Sequence, residues 1–412
     1  MIAYEQFELE NGLKVLVHQD KSTSFVAFNL LYNVGSKNED PNKTGYAHLM
    51  EHLMFAGSKT APNYDEPIDN AGGESNAFTN VDVTNYYIML PKENIEIAFW
   101  LESDRMLQLN VTQNALDIQK KVVIEEFKET TINKPYGKVW HELSQLAYQK
   151  HAYQWPTIGK IPEHIENASL DEIYAFYKKY YGPNNAFLVL SGNVDVENAK
   201  KLTNKWFNNI PKSDFSKPNL PKEPLQINAR RKTIECNAPL NAIYLAFQMG
   251  GRDDKQFYIA DLISDILGNG KSSRLYRKLV KDEEIFVHIN AYITGTVDNG
   301  LLIIEGKIQK DKSIQDAENL IWEQLEILKT ECLSDRELQK IKNSVESALI
   351  YSEISILNKA MNLAYFAALG KPELINTEAE LYQKISAQDI KDVANQILIK
   401  SKCSVLEINS KL

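Results

Sequence analysis

Alternation of apolar and polar positions dominates the first 35 residues. The segments LKVLVHQD (13–20) and SFVAFNLLYNVG (24–35) are rich in β-branched and aromatic residues, and the turn-forming DKSTS separates them. This pattern predicts two strands. The period then changes over DPNKTGYAHLMEHLMFAGS (40–58), where apolar residues recur at helical spacing. We therefore predict a mostly apolar helix that is closed by Gly57.

Strand and helix patterns also alternate through the rest of the first 200 residues. A capping box formed by Ser169 and Glu172 predicts the start of one of these helices. The predicted strands are FTNVDVTNYYIMLP (78–91) and AFLVLSG (186–192). The predicted helices are NIEIAFWLESDRML (94–107), TQNALDIQKKVVIEEFKETT (112–131) and SLDEIYAFYKKYYG (169–182).

A proline-rich segment divides the chain in two. NIPKSDFSKPNLPKEPLQ (209–226) holds four prolines and few apolar residues, which is typical of a linker. On both sides of it a strand ends at a glycine, charged residues follow, and a helix ends in a glycine-rich stretch. We predict a duplicated domain, with residues 1–211 and 227–412 sharing one fold and residues 212–226 linking them. Chance similarity of common elements is the alternative.

Composition and charge narrow the class of protein. Among 412 residues, 43% are hydrophobic and 25% are charged, as in ordinary soluble enzymes. A net charge of −9 argues against nucleic acid or an anionic membrane as the main partner. The start of the sequence lacks the basic and apolar regions of a secretory signal, and Cys236, Cys332 and Cys403 have no CxxC spacing. We expect reduced thiols and a cytoplasmic location, or a periplasmic one if a signal has been removed.

The pentapeptide HLMEH is the strongest chemical signal in the sequence. His48 and His52 are one helical turn apart, and Glu51 is adjacent to both in angle around the helix. Two neutral imidazoles can bind zinc, and the glutamate can deprotonate a water molecule. A polar edge on an ordinary helix is the alternative, but unpaired histidines on a buried helix would be costly. His288 is the only histidine beyond residue 164, so a histidine-based site lies in the first half.

Catalytic zinc needs a third protein ligand and an open fourth position. Glu126 continues the helix face that carries Val122 and Val123. A carboxylate that prolongs an apolar stripe is a candidate ligand. Glu125 and Glu129 are competing candidates that spacing alone does not exclude, and most glutamates in such a run are simply solvated.

The chain as a whole resembles the M16 (pitrilysin/insulinase) metallopeptidases, and more narrowly the bacterial relatives of the mitochondrial processing peptidase. The fold implied is α+β, with two homologous domains that are each a mostly antiparallel β-sheet with helices packed on one face. The first domain would be catalytic and the second not. The motifs that carry the resemblance are HLMEH, AGGESNAFTNVDVTNYY, KKVVIEEFKETTINKPYG, HAYQWPTIG, YYGPNNAFLVLSGNVD and, in the second half, LGNGKSSRLYRKL.

The resemblance also implies the roles of individual residues. His48, His52 and Glu126 would bind one zinc ion per chain, because the second glutamate of VVIEE matches the family ligand. Glu51 would be the general base. The activity implied is that of a zinc endopeptidase that cuts unfolded peptides inside a closed chamber.

A substrate-binding strand is implied after AGGESNAFT. In the family an extended peptide adds to this strand through main-chain hydrogen bonds, with Asn76 and Ala77 nearest the scissile bond. From the residues alone, Gly72 and Gly73 indicate no more than a turn into a strand.

One feature of the family is missing. Members that work alone or as homodimers carry an arginine and a tyrosine, seven residues apart, that stabilise the charge developing on the substrate carbonyl. Val280 and Val287 occupy these positions here. We therefore expect the zinc-bearing subunit of a heterodimer, with a homologous partner that supplies the pair. The alternatives are a self-sufficient homodimer and a non-catalytic core or scaffold subunit.

Overall fold

The computed structural model describes residues 1–411, which fold into two compact units. Unit 1 comprises Met1–Phe127, Pro156–Leu220 and Leu349–Thr377, and unit 2 comprises the remaining segments. The crossing at Leu220–Pro221 falls within the predicted linker. The units differ from the predicted linear division in residues 128–155 and 349–377, because each of these segments packs with the sheet of the other half of the sequence.

Eleven strands occur in the described residues, six in unit 1 and five in unit 2. The strands of unit 1 are β1 (Glu5–Glu8), β2 (Lys14–Gln19), β3 (Phe25–Tyr32), β4 (Glu74–Thr79), β5 (Thr84–Pro91) and β6 (Ala186–Gly192). The strands of unit 2 are β7 (Arg230–Cys236), β8 (Ala242–Gln248), β9 (Phe286–Ile293), β10 (Leu301–Ile308) and β11 (Cys403–Ser410).

The helices are numbered in chain order. They are α1 (Tyr46–Leu53), α2 (Asp65–Asn70), α3 (Ile95–Gln108), α4 (Gln113–Phe127), α5 (Val139–Ala147), α6 (Pro162–Glu166), α7 (Leu170–Tyr180), α8 (Val196–Phe207), α9 (Lys255–Gly268), α10 (Ile314–Thr330), α11 (Asp335–Ser352), α12 (Ile356–Ala368), α13 (Leu374–Gln383) and α14 (Ala387–Ile397). Two stretches are π-helical, Lys128–Asn133 and Tyr276–Asp282. Within residues 1–411, each helix is too short or too polar to cross a membrane.

The two sheets share one topology, which confirms the α+β class and the duplicated fold. The order in unit 1 is β1-β2-β6-β3-β5-β4, and the order in unit 2 is β7-β11-β8-β10-β9. In each sheet one pair is parallel, β2 with β6 and β7 with β11, and the other described pairs are antiparallel. Apart from β1, the second order therefore repeats the first strand by strand.

The central strands of unit 1 are buried on both faces, which explains their nearly continuous apolar sequence. On one face Phe28 of β3 meets Phe99 of α3 edge to face, with ring centroids 5.0 Å apart. On the other face the buried Leu363 and Ala364 of α12 cover β3 and β6. Helix α5 packs in the same way on β11, β8 and β7 in unit 2. Each sheet therefore carries one helix in addition to the predicted helical layer.

The sequence signals for helix ends predicted one end correctly and another incorrectly. The capping box at Ser169 and Glu172 is formed, which confirms that prediction. Helix α1 ends at Leu53 rather than next to Gly57. The intervening residues make tighter turns, since the N–H of Phe55 donates to the carbonyl of His52 at 3.2 Å. Gly57 follows with φ +99°, and an added Cβ would lie 2.5 Å from the Pro62 carbonyl oxygen.

Candidate metal centre

The N-terminus of helix α1 is fixed by a buried carboxylate. Oε2 of Glu39 accepts the N–H of Gly45 at 2.9 Å, and Oε1 accepts the N–H of Ala47 at 2.8 Å. A negative charge at this end of a helix is favourable, because the first N–H groups have no partner within the helix. Gly45 has φ +90°, and a Cβ there would lie 2.7 Å from Ile165. Glu39 and Gly45 together fix how the chain enters α1.

Helix α1 is amphipathic, and its polar side carries the predicted site residues. Leu49, Met50 and Leu53 are fully buried in the core of unit 1. His48 and His52 lie on the other side with side chains 14% and 24% exposed. The burial of one face fixes the rotation of the helix, so the two imidazoles point outward from the core together.

The two imidazoles meet a carboxylate from helix α4. Nε2 of His48 lies 3.8 Å from Oε2 of Glu126, and Nε2 of His52 lies 3.7 Å from the same oxygen. The three ligand atoms lie within 4.8 Å of one another. Among residues 1–411 this is the one group of three or more His, Cys, Asp or Glu side chains close enough to bind a metal ion.

Burial holds His48 in the form that binds metals. Desolvation, and secondarily the nearby His52, lower the pKa of His48 to about 4. The imidazole is therefore neutral near pH 7, as metal ligation requires. Nδ1 of His48 is buried and has no hydrogen-bond partner among the described residues. A buried ring nitrogen without a hydrogen-bond partner is unfavourable, so a purely structural role would not explain this histidine.

The donor set fits zinc. Two imidazole nitrogens and one carboxylate are a recurrent ligand set of catalytic zinc, which keeps its fourth position open. Ligands of a tetrahedral zinc at about 2.0–2.2 Å lie roughly 3.3–3.5 Å apart, and the histidine-to-carboxylate distances of 3.8 and 3.7 Å are close to this separation. The side chain of Glu126 is 40% exposed, so the group is open to solvent on one side.

Glu51 lies on α1, next to the three groups that could bind a metal ion. Its pKa is raised chiefly by burial, and a hydrogen bond from Thr79 together with the nearby His52 opposes the increase. The negative charge of Glu126 adds to the increase. Glu51 is therefore more readily protonated than an exposed glutamate, which suits a group that must both accept and return a proton.

The three candidate glutamates separate in the structure, where Glu125 and Glu126 lie in α4 and Glu129 lies in the π-helical stretch Lys128–Asn133. Within the described residues, the group of metal-binding donors contains Glu126 and neither Glu125 nor Glu129. The stripe argument for Glu126 was partly wrong, because Val123 is buried but Val122 is 45% exposed. Glu126 thus borders the buried face of α4 instead of prolonging it. The helical period positions the residue, and the packing of α4 beside α1 brings it to the histidines.

Strand β4, which carries Asn76 and Ala77, lies at the edge of its sheet next to α1. The N–H of Asn80 donates to the Val83 carbonyl at 3.0 Å, so it points toward β5. Because main-chain groups alternate along an antiparallel strand, those of Ala77 point to the open edge and those of Asn76 point to β5. The Ala77 N–H is met by Oδ1 of Asn76 at 2.8 Å.

The two valines that replace the expected Arg–Tyr pair both lie in unit 2. Val280 belongs to the π-helical stretch Tyr276–Asp282. Val287 is the extra residue of a β-bulge in β9, and 49% of it is exposed. Neither side chain can donate a hydrogen bond.

Two residues of the site were not identified from the sequence. Glu39 is one of the charged residues that follow the strand ending at Gly35, and Thr79 lies within a predicted strand, but no role was predicted for either of them from the sequence. Their roles depend on tertiary contacts, with the N-terminus of α1 for Glu39 and with Glu51 for Thr79. One sequence signal could have indicated Glu39. Helix α1 has no N-cap side chain of its own, and an acidic residue stands shortly before it.

The sequence matches two family models. Residues 14–160 match the model described as insulinase (peptidase family M16), and residues 167–345 match the one described as the peptidase M16 inactive domain. The matched residues include the three donor groups in the first segment and both valines in the second.

Relatives of similar length come from bacteria and from mitochondria. The chain is 28% identical to the zinc protease PqqE of Helicobacter pylori, over 95% of this chain and 90% of that protein. It is 25% identical to the zinc protease YmxG of Bacillus subtilis, over 95% of each. It is 24% identical to the beta subunit of the mitochondrial-processing peptidase of Saccharomyces cerevisiae, over 84% of this chain and 78% of that protein.

Solved structures show the same fold over the whole chain. A protease from Helicobacter pylori superposes with a TM-score of 0.93 at 27% identity, covering 99% of this chain and 100% of that one. A peptidase M16 inactive domain from Pseudomonas fluorescens gives a TM-score of 0.89 at 17% identity, covering 100% and 98%. The second likeness, at this low identity, concerns the fold alone.

Proposed function

Because the chain belongs to peptidase family M16, we propose that it is a zinc-dependent endopeptidase that hydrolyses unfolded peptides in a closed chamber. The observation that carries the proposal is the convergence of Nε2 of His48, Nε2 of His52 and Oε2 of Glu126. These three groups would hold one zinc ion per chain. A structural zinc site usually has four protein ligands, often cysteines, and none of the described cysteines belongs to this group of donors.

Glu51 would be the general base. When bound, zinc makes water a nucleophile at neutral pH and polarises the scissile carbonyl. Glu51 takes a proton from the attacking water and then gives it to the nitrogen of the leaving amine. The C–N bond breaks, and a carboxyl group and an amine form. The partly buried position of Glu51 next to Glu126 supports both halves of this proton transfer.

The substrate would bind as an added strand at the edge of β4. The outward carbonyl of Ala77 can pair with an extended peptide. Its N–H can also pair with the peptide once the side chain of Asn76, which accepts this N–H at 2.8 Å, turns away to bind the same segment. Recognition through the backbone requires an extended, unfolded substrate and places little demand on its side chains. The proximity of β4 to helix α1 supports cleavage near Asn76 and Ala77.

A homologous partner subunit would complete the catalytic machinery. Val280 and Val287 lack the donors that could stabilise the charge on the substrate carbonyl, a contribution of a few kcal/mol per donor. We therefore assign this chain as the zinc-bearing subunit of a heterodimer. Three free cysteines support a reducing compartment, the cytoplasm.

The test is hydrolysis of an internally quenched, unstructured peptide by the purified chain and by Glu51→Gln, with zinc measured in both. No hydrolysis by a wild-type chain that holds one zinc ion supports the hypothesis that a partner subunit is required. Hydrolysis by the chain alone that Glu51→Gln abolishes establishes the peptidase activity and contradicts an obligate heterodimer. No hydrolysis by a chain that binds no zinc contradicts the metal site itself.

A further inference from the structure

The carboxylate of Glu51 is held by one side chain, the hydroxyl of Thr79 at the end of strand β4. This hydroxyl donates a hydrogen bond to Oε2 of Glu51. A second acceptor, Oγ1 of Thr84, lies 3.3 Å away. The hydroxyl of Thr84 donates its own proton to the Val34 carbonyl at 2.9 Å, so it can only accept from Thr79. The closer and charged carboxylate is the stronger acceptor.

The position of Thr79 is set by the turn that follows it. Oδ1 of Asn80 accepts the N–H groups of Asp82 and Val83 at 2.8 and 2.9 Å. The Asn80 N–H donates to the Val83 carbonyl at 3.0 Å, and its carbonyl accepts the N–H of Ser36 at 3.2 Å. A turn closed by several bonds leaves little freedom to the residue before it. Thr79 therefore offers its hydroxyl from a fixed point.

Thr79 also faces the open edge of the sheet. Like Ala77, two residues earlier, it directs its main-chain N–H and C=O away from β5. A peptide that adds to this edge would thus lie against the residue that holds Glu51. Because Oε2 already accepts this hydroxyl, we expect Oε1 to be the oxygen that takes the proton.

We infer that Thr79 is a positioning residue, which orients the Glu51 carboxylate and couples it to the strand edge where substrate would bind. The inference rests on the proposed function. A carboxylate on a three-bond side chain samples several orientations unless a partner fixes it, and proton transfer requires a heavy-atom distance within hydrogen-bond reach.

Two substitutions separate the hydroxyl from the methyl group of Thr79. Thr79→Val keeps the branched shape and removes the donor, whereas Thr79→Ser keeps the donor and removes the methyl group. Peptide hydrolysis is measured with whichever form turns over substrate, the chain alone or with its partner, beside zinc content and thermal unfolding. We expect Thr79→Val to lower kcat about 10- to 100-fold, within the range of general-base catalysis, with KM, zinc content and Tm close to wild type. Thr79→Ser should restore kcat to within about threefold.

Wild-type kcat in Thr79→Val, or a Thr79→Ser variant as slow as the valine variant, would overturn the inference. Crystal structures of both variants give a readout that does not depend on activity. The Glu51 carboxylate should keep its orientation in Thr79→Ser and turn away in Thr79→Val. An unchanged orientation in the valine variant overturns the inference, even if the chain proves to be no peptidase.

Discussion

The imidazole rings of His48 and His52 stand perpendicular to each other, with centroids 4.8 Å apart. One helical turn separates them, and the fully buried opposite face of α1 fixes the direction in which both point. Their Nε2 atoms approach the same oxygen of Glu126. The pair and the carboxylate therefore form a preorganised set of three donors from two helices, which lowers the cost of ordering a metal site.

Zinc affinity should depend on Glu126 and not on its neighbour. Replacing a ligand should cost at least the roughly 10- to 100-fold in affinity that is typical for groups around a metal site. We expect Glu126→Gln to lose zinc in competition with a fluorescent chelator. Glu125→Gln, one residue away on the same helix, is the matched control and should bind like wild type. Equal affinity in the two variants would remove Glu126 from the ligand set.

Restoring the missing donors should make the chain more active by itself. The double variant Val280→Arg, Val287→Tyr introduces the side chains that the resemblance leads us to expect at these positions. Since one such donor is worth about 100- to 1,000-fold in kcat, even an imperfect fit should raise peptide hydrolysis about tenfold or more. Val280→Leu with Val287→Leu is the control for a change in size. No gain, with zinc content and stability intact, would argue that the partner contributes something else.

Removing one outward N–H should weaken substrate binding without touching the metal. Ala77→Pro deletes a donor that faces the open edge of β4, where proline is tolerated. One hydrogen bond is worth about 0.5–1.5 kcal/mol, so kcat/KM should fall about three- to tenfold with zinc content unchanged. Ser75→Pro deletes an equivalent N–H two residues earlier in the strand and should have a smaller effect. The reverse ranking would contradict the proposed register of the substrate.

Stability should depend on pH through Asp261 in unit 2. Burial raises the pKa of Asp261 to about 6 from 3.8, and Asp265 and Glu378 add to the increase, while a hydrogen bond from Tyr382 and the charge of Arg252 oppose it. Because the folded-state pKa is raised, its contribution to stability is present below about pH 4 and is lost as pH rises through 6. The loss is about 1–3 kcal/mol.

Urea unfolding at several pH values tests this contribution. Asp261→Asn keeps an acceptor for the Tyr382 hydroxyl, which donates to Oδ2 of Asp261 at 2.7 Å. The variant should gain stability relative to wild type as pH rises from 4 to 7. Asp311→Asn, at an exposed position, should show no such change. Parallel pH curves for Asp261→Asn and wild type would contradict the assignment.

The sequence predicted the elements and the pair of histidines because these depend on local spacing. The helical period alone places His48 and His52 on one side of α1. The choice of Glu126 over Glu125 and Glu129 depended on family resemblance, since packing between α1 and α4 decides which glutamate reaches the histidines. The same limit applies to Thr79, whose partner Glu51 lies 28 residues away in the chain.

Domain boundaries were harder to predict than elements, for a related reason. The proline-rich segment contains one of the five crossings between units, at Leu220–Pro221. Helix α12 has an apolar face like many helices, and no local signal tells which sheet it will cover. It packs on β3 and β6 of unit 1, although more than 200 residues separate it from β3.

The measurement that tests the central claim most directly is anomalous diffraction at the zinc edge from crystals of the zinc-loaded chain. We expect one peak per chain, within about 2.0–2.2 Å of Nε2 of His48, Nε2 of His52 and a carboxylate oxygen of Glu126, with no fourth protein ligand. No peak at these three residues, or a peak there with a fourth side chain bound, would contradict a catalytic zinc site.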